Sequence, residues 1–331
     1  MNSYKLTKAA AILISLLMII GLFTGCGKNT DKPKDSNSNT VFDTNEYYAD
    51  ENYLIEIAPE IIPLVSSPAM FVMPMPAAPG IDVKASEKAV IDYSNASDGY
   101  VMIRYLQSTD KPLKVIIAGL GGAAYTYSLK SNGDYDVFPL SDGSGVYTVT
   151  VYEHIEGIRY ATANSAAIDV ELSDEFAPFI RPNKYVNYNP GSAAVEKAAE
   201  LIGDEENTIE KIAIIYHFVR ATLTYDYDWY LSASFKSGYV PDLDAVLASR
   251  KGICFDYAAL MTAMLRSQGI PTKLVFGYTG EAYHAWISVF SDTEGWIENA
   301  AYFDGSSWEL IDPIFPLAHN TEGTYVEKYI Y

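Results

Sequence analysis

The sequence predicts an α+β fold in two parts: an antiparallel β-sandwich, then a unit in which helices precede a sheet. Three observations carry this. From about residue 85 to 172, apolar and polar residues alternate in short runs broken by turn clusters, the period-two signature of half-buried strands. From about 190 to 266 the apolar positions recur instead at three- and four-residue spacing, as on a helix. After Gly269 the alternation returns.

The first 25 residues stand apart from the fold. Lys5 and Lys8 precede an apolar run from Ala9 to Phe23, too short for a membrane span and followed by small residues, which reads as an export signal. It ends in Leu22-Phe23-Thr24-Gly25-Cys26, which resembles a bacterial lipobox. That resemblance implies lipidation of Cys26, a membrane anchor through the lipid and an extracytoplasmic protein; an ordinary secretory signal is the alternative. Residues 26–50 open with GKNTDKPKDSNSNT after the cysteine, a stretch with no apolar residue, and read as a flexible tether.

Residues 51–180 are assigned to the β-rich part. Its first stretch, PEIIPLVSSPAMFVMPMPAAPG, mixes prolines with large apolar residues and reads as an extended segment packed on its neighbour. The runs YVMIRYLQ, LKVIIAG, AYTYSLK, YDVFPL, GVYTVTVYE, RYATANSA and AIDVELS then read as strands, with SNASDG, TDKP, SNGD, SDGSG and EHIEG as turns. Strands of this length and spacing predict an Ig-like sandwich. Its tyrosines fit a sheet surface filled by β-favouring aromatics, the alternative being a glycan- or peptide-binding face.

Residues 181–331 follow the second grammar. SAAVEKAAELIGDEENTIEKIAIIYHFVRATLTYD predicts two helices separated by GDEEN. A tyrosine-rich loop, YDYDWYLSASFKSGYVPD, leads to a short helix, LDAVLAS. KGICFDYAALMTAMLRSQGIP then predicts a helix opening at Cys254 and stopped by Gly269 and Pro271. Cys254, Ala258, Met261 and Leu265 share one face. Four strands are expected next, in TKLVFGY, EAYHAWISVF, GWIENAAYF and WELIDPIF.

Composition narrows the function. Lys and Arg total 23 against 42 Asp and Glu, a net charge of −19. With no basic cluster, nucleic acid is not an expected partner. No run of carboxylates has the spacing of a calcium loop, so neither a metal nor a cofactor is assigned. The chain has two cysteines. If Cys26 carries lipid, Cys254 has no partner for an internal disulfide and is either a buried filler or a reactive thiol.

Position is compatible with either. A helix N-terminus favours a thiolate, and its free N–H groups can stabilise an oxyanion at an attacked carbonyl. Gly252 permits close backbone approach just before it. His284 lies near the start of its strand and shares a face with Trp286, Ser288 and Phe290, while Asp312 ends a strand directly before Pro313. Packed together, the imidazole could take the thiol proton and the carboxylate could orient the imidazole. His217 sits mid-helix and reads as structural, and Asp256 as a carboxylate closing the first helical turn.

KGICFDYAALMTAMLRSQGIPTKLVFGY, HAWISVF and WELIDPIF resemble the three signature blocks of the transglutaminase-like superfamily, over about residues 190 to 316, and especially bacterial surface members with the transglutaminase core domain. The resemblance implies a papain-like α+β domain with Cys254 as nucleophile, His284 as base and then acid, and Asp312 as the orienting residue. Asp-Pro-Ile replaces the commoner Asp-Pro-Thr. It also implies a side-chain oxyanion donor upstream of the cysteine, for which Tyr225 is the first candidate, ahead of Tyr227 and Trp229. The expected activity is acyl transfer at amide bonds of protein or peptide substrates at the cell surface, with hydrolysis favoured because water is always present. A cross-linking transglutaminase and a non-catalytic surface scaffold are the alternatives.

Overall fold

The computed structural model describes residues 71–231, 238–279, 282–298, 301–303, 308–310 and 325–331. The leader, Cys26, the tether and Asp312 lie outside the described residues. Within residues 67–331, which form one compact unit, the architecture is mixed α/β with antiparallel four-stranded sheets. Among the described residues no helix is long and apolar enough to cross a membrane.

Two of these sheets make up the β-rich part. One holds β1 (Val83–Ala85), β2 (Ala89–Asp92), β3 (Tyr100–Tyr105) and β6 (Asp136–Pro139), ordered β1-β2-β3-β6. The other holds β4 (Leu113–Ala118), β5 (Ala124–Ser128), β7 (Gly145–Glu156) and β8 (Arg159–Val170), ordered β5-β4-β7-β8. Alternation decides what is buried: Leu113, Val115 and Ile117 of β4 point inward while Lys114, Ile116 and Ala118 stay partly exposed. They share one core with Ile91, Val101, Ile103 and Phe138 of the first sheet and with Val149 and Val151 of β7. Asn164 of β8 ties the sheets together, donating through Nδ2 to the carbonyls of Lys84 (2.8 Å) and Ala89 (2.9 Å).

The strand runs from YVMIRY to GVYTVTVYE are found as expected, with three corrections. RYATANSA and AIDVELS are a single strand, β8, because it pairs with β7 from Arg159 to Val170, and the register shifts at Val151/Tyr152 and His154/Glu156 bend the ladder without ending it. The EHIEG turn shrinks to Gly157 and Ile158, with Gly157 at φ 57°. The pair β1 and β2 was not foreseen: all four residues of β2 are buried, so it shows no alternation. Residues 71–79 have neither helix nor strand. They are held to the β-rich part by Tyr100, whose hydroxyl accepts from the Ala77 amide (3.0 Å), and by Asn95 Nδ2, which donates to the Ala77 carbonyl (2.8 Å).

The helical part has α1 (Ala193–Ile202), α2 (Thr208–Thr222), α3 (Tyr227–Leu231), α4 (Leu243–Ser249) and α5 (Cys254–Arg266). Asn207 and Asp242 cap α2 and α4 by accepting from backbone amides in their first turns. The short α3 falls inside the run expected to be a loop; Asp226 Oδ1 accepts from Trp229 N and starts it. The third large sheet has β11 (Thr272–Thr279), β12 (Ala282–Ser291), β13 (Gly295–Ile297) and β16 (Tyr325–Ile330), ordered β13-β12-β11-β16. GWIENAAYF, expected as one strand, divides into β13 and β14 (Ala301–Phe303), and β14 pairs with β15 (Trp308–Leu310) in a separate hairpin. The C-terminal β16 was not foreseen, and it takes the edge beside β11.

An aromatic cluster joins the two patterns. Tyr127 of β5 meets Tyr185 (5.3 Å between ring centroids) and Tyr331 (5.6 Å), Tyr185 meets Phe255 (5.5 Å), and Phe255 meets Phe276 of β11 (4.8 Å). Beside it the fully buried Arg266 donates to the carbonyls of Thr272, Arg181 and Tyr331.

Candidate active site

Cys254 is the first residue of α5, and its setting differs from that of every residue after it in the helix. Phe255 through Arg266 are all buried, while Cys254 is only half-buried. The sequence suggested one inward face. In fact α1, α2, α4, β11 and β12 surround α5, so the helix is enclosed on all sides and reaches solvent at its N-terminal residue.

Local chemistry fixes this helix end. The N-cap, Ile253, has no side-chain acceptor, so its amide is satisfied by Asp256 Oδ2 at 2.8 Å. The other oxygen, Oδ1, accepts from the Tyr239 hydroxyl at 2.6 Å. Burial pushes the Asp256 carboxyl above the usual range, opposed by the Tyr239 and Ile253 hydrogen bonds. Burial and the adjoining Asp256 likewise raise the Tyr239 phenol. Gly252 is required by the same arrangement, since a Cβ there would stand 2.6 Å from Asp256 Cβ. Asp256 closes the first turn as expected, whereas no sequence signal linked it to Tyr239, seventeen positions upstream.

Tyr225 is brought to the same place. β9 (Thr224–Tyr225) runs parallel to β10 (Lys251–Gly252), pairing Tyr225 with Gly252, and Asp226 N donates to the Gly252 carbonyl at 2.9 Å. The half-buried Tyr225 thus lies one strand over from the backbone that leads into Cys254. Its ring meets Tyr227 at 4.8 Å.

His284 lies in β12 opposite Gly277, 6% exposed, with its ring nearly parallel to Trp286 at 6.4 Å. Gly277 makes room here. A Cβ on it would fall 2.0 Å from the Val326 carbonyl oxygen and 2.7 Å from the Trp286 indole. Strand alternation separates the neighbours. Ala285 pairs with Phe276, whose ring packs on Phe255 of α5 and stacks at 6.1 Å on Tyr283, so these residues occupy the α5 side of the sheet. His284 leaves the strand on the side of Trp286, the other side. Among the described residues Cys254 and His284 share no hydrogen bond. Partial burial pushes the Tyr283 phenol up to about 12, with Tyr329, Tyr278 and, least, Cys254 adding to the rise. Tyr283 was not singled out in the sequence, being read only as the residue before the histidine.

His217 is exposed on α2, and its imidazole is held below the usual value by partial burial and by Arg220. Among the described residues no cluster of three or more His, Cys, Asp or Glu side chains is placed to hold a metal ion.

A half-exposed cysteine thus opens a buried helix packed against an antiparallel sheet. Residues 195–301 match the family model of the transglutaminase-like superfamily. An uncharacterized protein, YebA of Bacillus subtilis (strain 168), is 23% identical over 202 residues, which cover 51% of this chain and 26% of YebA. The chain thus spans about a quarter of that relative's length. Among solved structures, a protein described as a candidate cysteine protease from Cytophaga hutchinsonii aligns with a TM-score of 0.36 and 18% identity, covering 76% of this chain and 74% of the other. Red sea bream transglutaminase aligns with a TM-score of 0.24 and 14% identity, covering 65% and 49%.

Proposed function

We infer that the protein is a thiol enzyme that transfers acyl groups from amide bonds through Cys254. The observation that carries this reading is the half-exposed cysteine at the N-terminus of an otherwise buried helix, within a segment that matches the transglutaminase-like superfamily. Sγ attacks the amide carbonyl carbon, the amine departs with a proton, and a thioester to Cys254 remains. Water then releases a carboxylic acid and frees the thiol. In this reading His284 takes the thiol proton and passes it to the leaving amine, Asp312 orients the imidazole, and the Tyr225 hydroxyl donates to the oxyanion. Among the described residues His284 and Cys254 share no hydrogen bond, and His284 leaves β12 on the side away from α5, so the reading requires the start of β12 to turn for the imidazole to reach the thiol.

Hydrolysis of protein or peptide amides is the outcome proposed, giving a peptidase, amidase or deamidase. The Leu22–Cys26 run supports export and a lipid anchor, which would place the enzyme on the outer face of a cell membrane. The two facing sheets are read as an Ig-like sandwich that presents substrate to a papain-like thiol domain. Incubating the full chain with surface-protein extracts and sorting the products by mass spectrometry tests the activity. New carboxyl termini, or glutamines converted to glutamates, that vanish with Cys254→Ala are expected. Products identical for the parent and Cys254→Ala would sink it.

A further inference from the structure

A cleft linked through Tyr239 to the first turn of α5 has no role assigned by the reaction itself. Its volume is about 1060 Å³, and it runs between β6, the 182–192 connection and the residues leading into α4. One wall carries Trp229 and Tyr239, whose rings meet at 5.6 Å. Tyr239 is the residue that donates to Asp256, two positions after Cys254, so this wall ends at the first turn of α5.

The charges in the cleft do not cancel. Its two lysines face Asp136: Lys184 Nζ lies 2.7 Å and Lys130 Nζ 4.0 Å from that carboxylate. Asp134, Asp242 and Asp244 also line it and are exposed, and among the described residues none of the three has an ion pair. Asn183, 5% exposed, lines the same cleft. Its Oδ1 accepts from the amides of Tyr185 and Val186, both at 3.0 Å, while its Nδ2 finds no acceptor among the described residues. A buried amide N–H with no partner costs free energy that a ligand oxygen could restore.

We propose that this cleft binds an extended, lysine- or arginine-bearing peptide segment, the part of the acyl-donor chain that flanks the reacting amide. The segment stacks on Trp229 and Tyr239, gives a main-chain carbonyl to Asn183 Nδ2, and places its cations against Asp134, Asp242 and Asp244. This rests on the acyl-transfer reading, because a peptide is the chain that carries the amide to Cys254. The acidity of the whole protein, −19, steers the same cations toward it.

The test uses the full chain carrying Cys254→Ala, so that no chemistry intervenes, and fluorescence anisotropy with labelled probes. These are short glycine–alanine peptides carrying several lysines, glutamates or glutamines, and a hexamer of N-acetylglucosamine. The lysine peptide should bind about tenfold more tightly than the glutamate peptide at low salt, with the gap closing as salt rises. Combining Asp134→Asn, Asp242→Asn and Asp244→Asn should abolish the gap while keeping the cap of α4, since Asn caps as well as Asp. Asn183→Asp keeps the turn acceptor but loses the donor, and should weaken the glutamine peptide about fivefold. Equal affinity for the lysine and glutamate peptides, a gap that survives the three substitutions, or tighter binding of the sugar would overturn the proposal. The parent thiol is assayed separately by alkylation. Lysine-peptide binding beside an unreactive thiol would defeat the acyl-transfer reading alone, and a reactive thiol without charge preference would defeat the cleft alone.

Discussion

At the residue scale, the decisive positions are those where one atom more or less changes the geometry. Gly252 is such a position, since the Cβ of an alanine would press on Asp256 and displace the carboxylate that holds the Ile253 amide. Gly252→Ala should cost about 1–3 kcal/mol in urea unfolding and also slow alkylation of Cys254, because the first turn of α5 is what shifts. Glu153 offers a pH test. It is 7% exposed, bound by Lys88, Lys111 and the Tyr105 hydroxyl, and held down to about 2, chiefly by the Lys88 hydrogen bond. Its folded value lies below its unfolded one, so its stabilisation is full above the ordinary carboxylate range and is lost as pH falls from about 4.5 to about 2. Both lysines are half in water, so Glu153→Gln should cost only about 1–2 kcal/mol at neutral pH. The difference between parent and variant should vanish by pH 2, measured by denaturant unfolding across that range.

At the element scale, the sheet behind α5 depends on a close approach. β16 passes within 2.0 Å of where a Gly277 Cβ would stand, so Gly277→Ala must push β16 away from β11. Faster hydrogen exchange in residues 325–331, with the amides of β4 and β7 unchanged, is the expected result. The helices were legible because their signals are local: apolar spacing, the Asn207 and Asp242 caps, and Gly269 after α5 all lie within the segment they shape. The long strands were legible for the same reason. β2 was not, because it is buried on both faces and reads as a plain apolar run. Nor was β16, whose pairing with β11 is set from some fifty residues away. The site divides along the same line. The Cys254 helix start and the role of Asp256 could be read from neighbouring residues, whereas Tyr239 beside Asp256 and Tyr283 toward the thiol depend on tertiary packing.

At the scale of the whole molecule, the two N-terminal sheets and the thiol-bearing helix share one buried core rather than merely adjoining. Arg266, at the far end of α5, satisfies carbonyls from the 181 connection, from β11 and from Tyr331. Arg266→Met removes hydrogen bonds to three carbonyls, of which that of Tyr331 keeps the Leu274 amide, and should cost about 3–5 kcal/mol, seen in circular dichroism and tyrosine fluorescence as one earlier transition. Two separated transitions would mean that the shared core does not couple the parts. The account's central claim is that Cys254 is a nucleophile served by His284, and the rate of its alkylation by iodoacetamide as a function of pH tests this most directly. In the full chain, Cys254 of the parent and of His217→Gln should label readily below neutral pH, while His284→Ala should label more slowly there by tenfold or so. If His284→Ala, His217→Gln and the parent all label alike, Cys254 is an ordinary thiol and the claim is wrong.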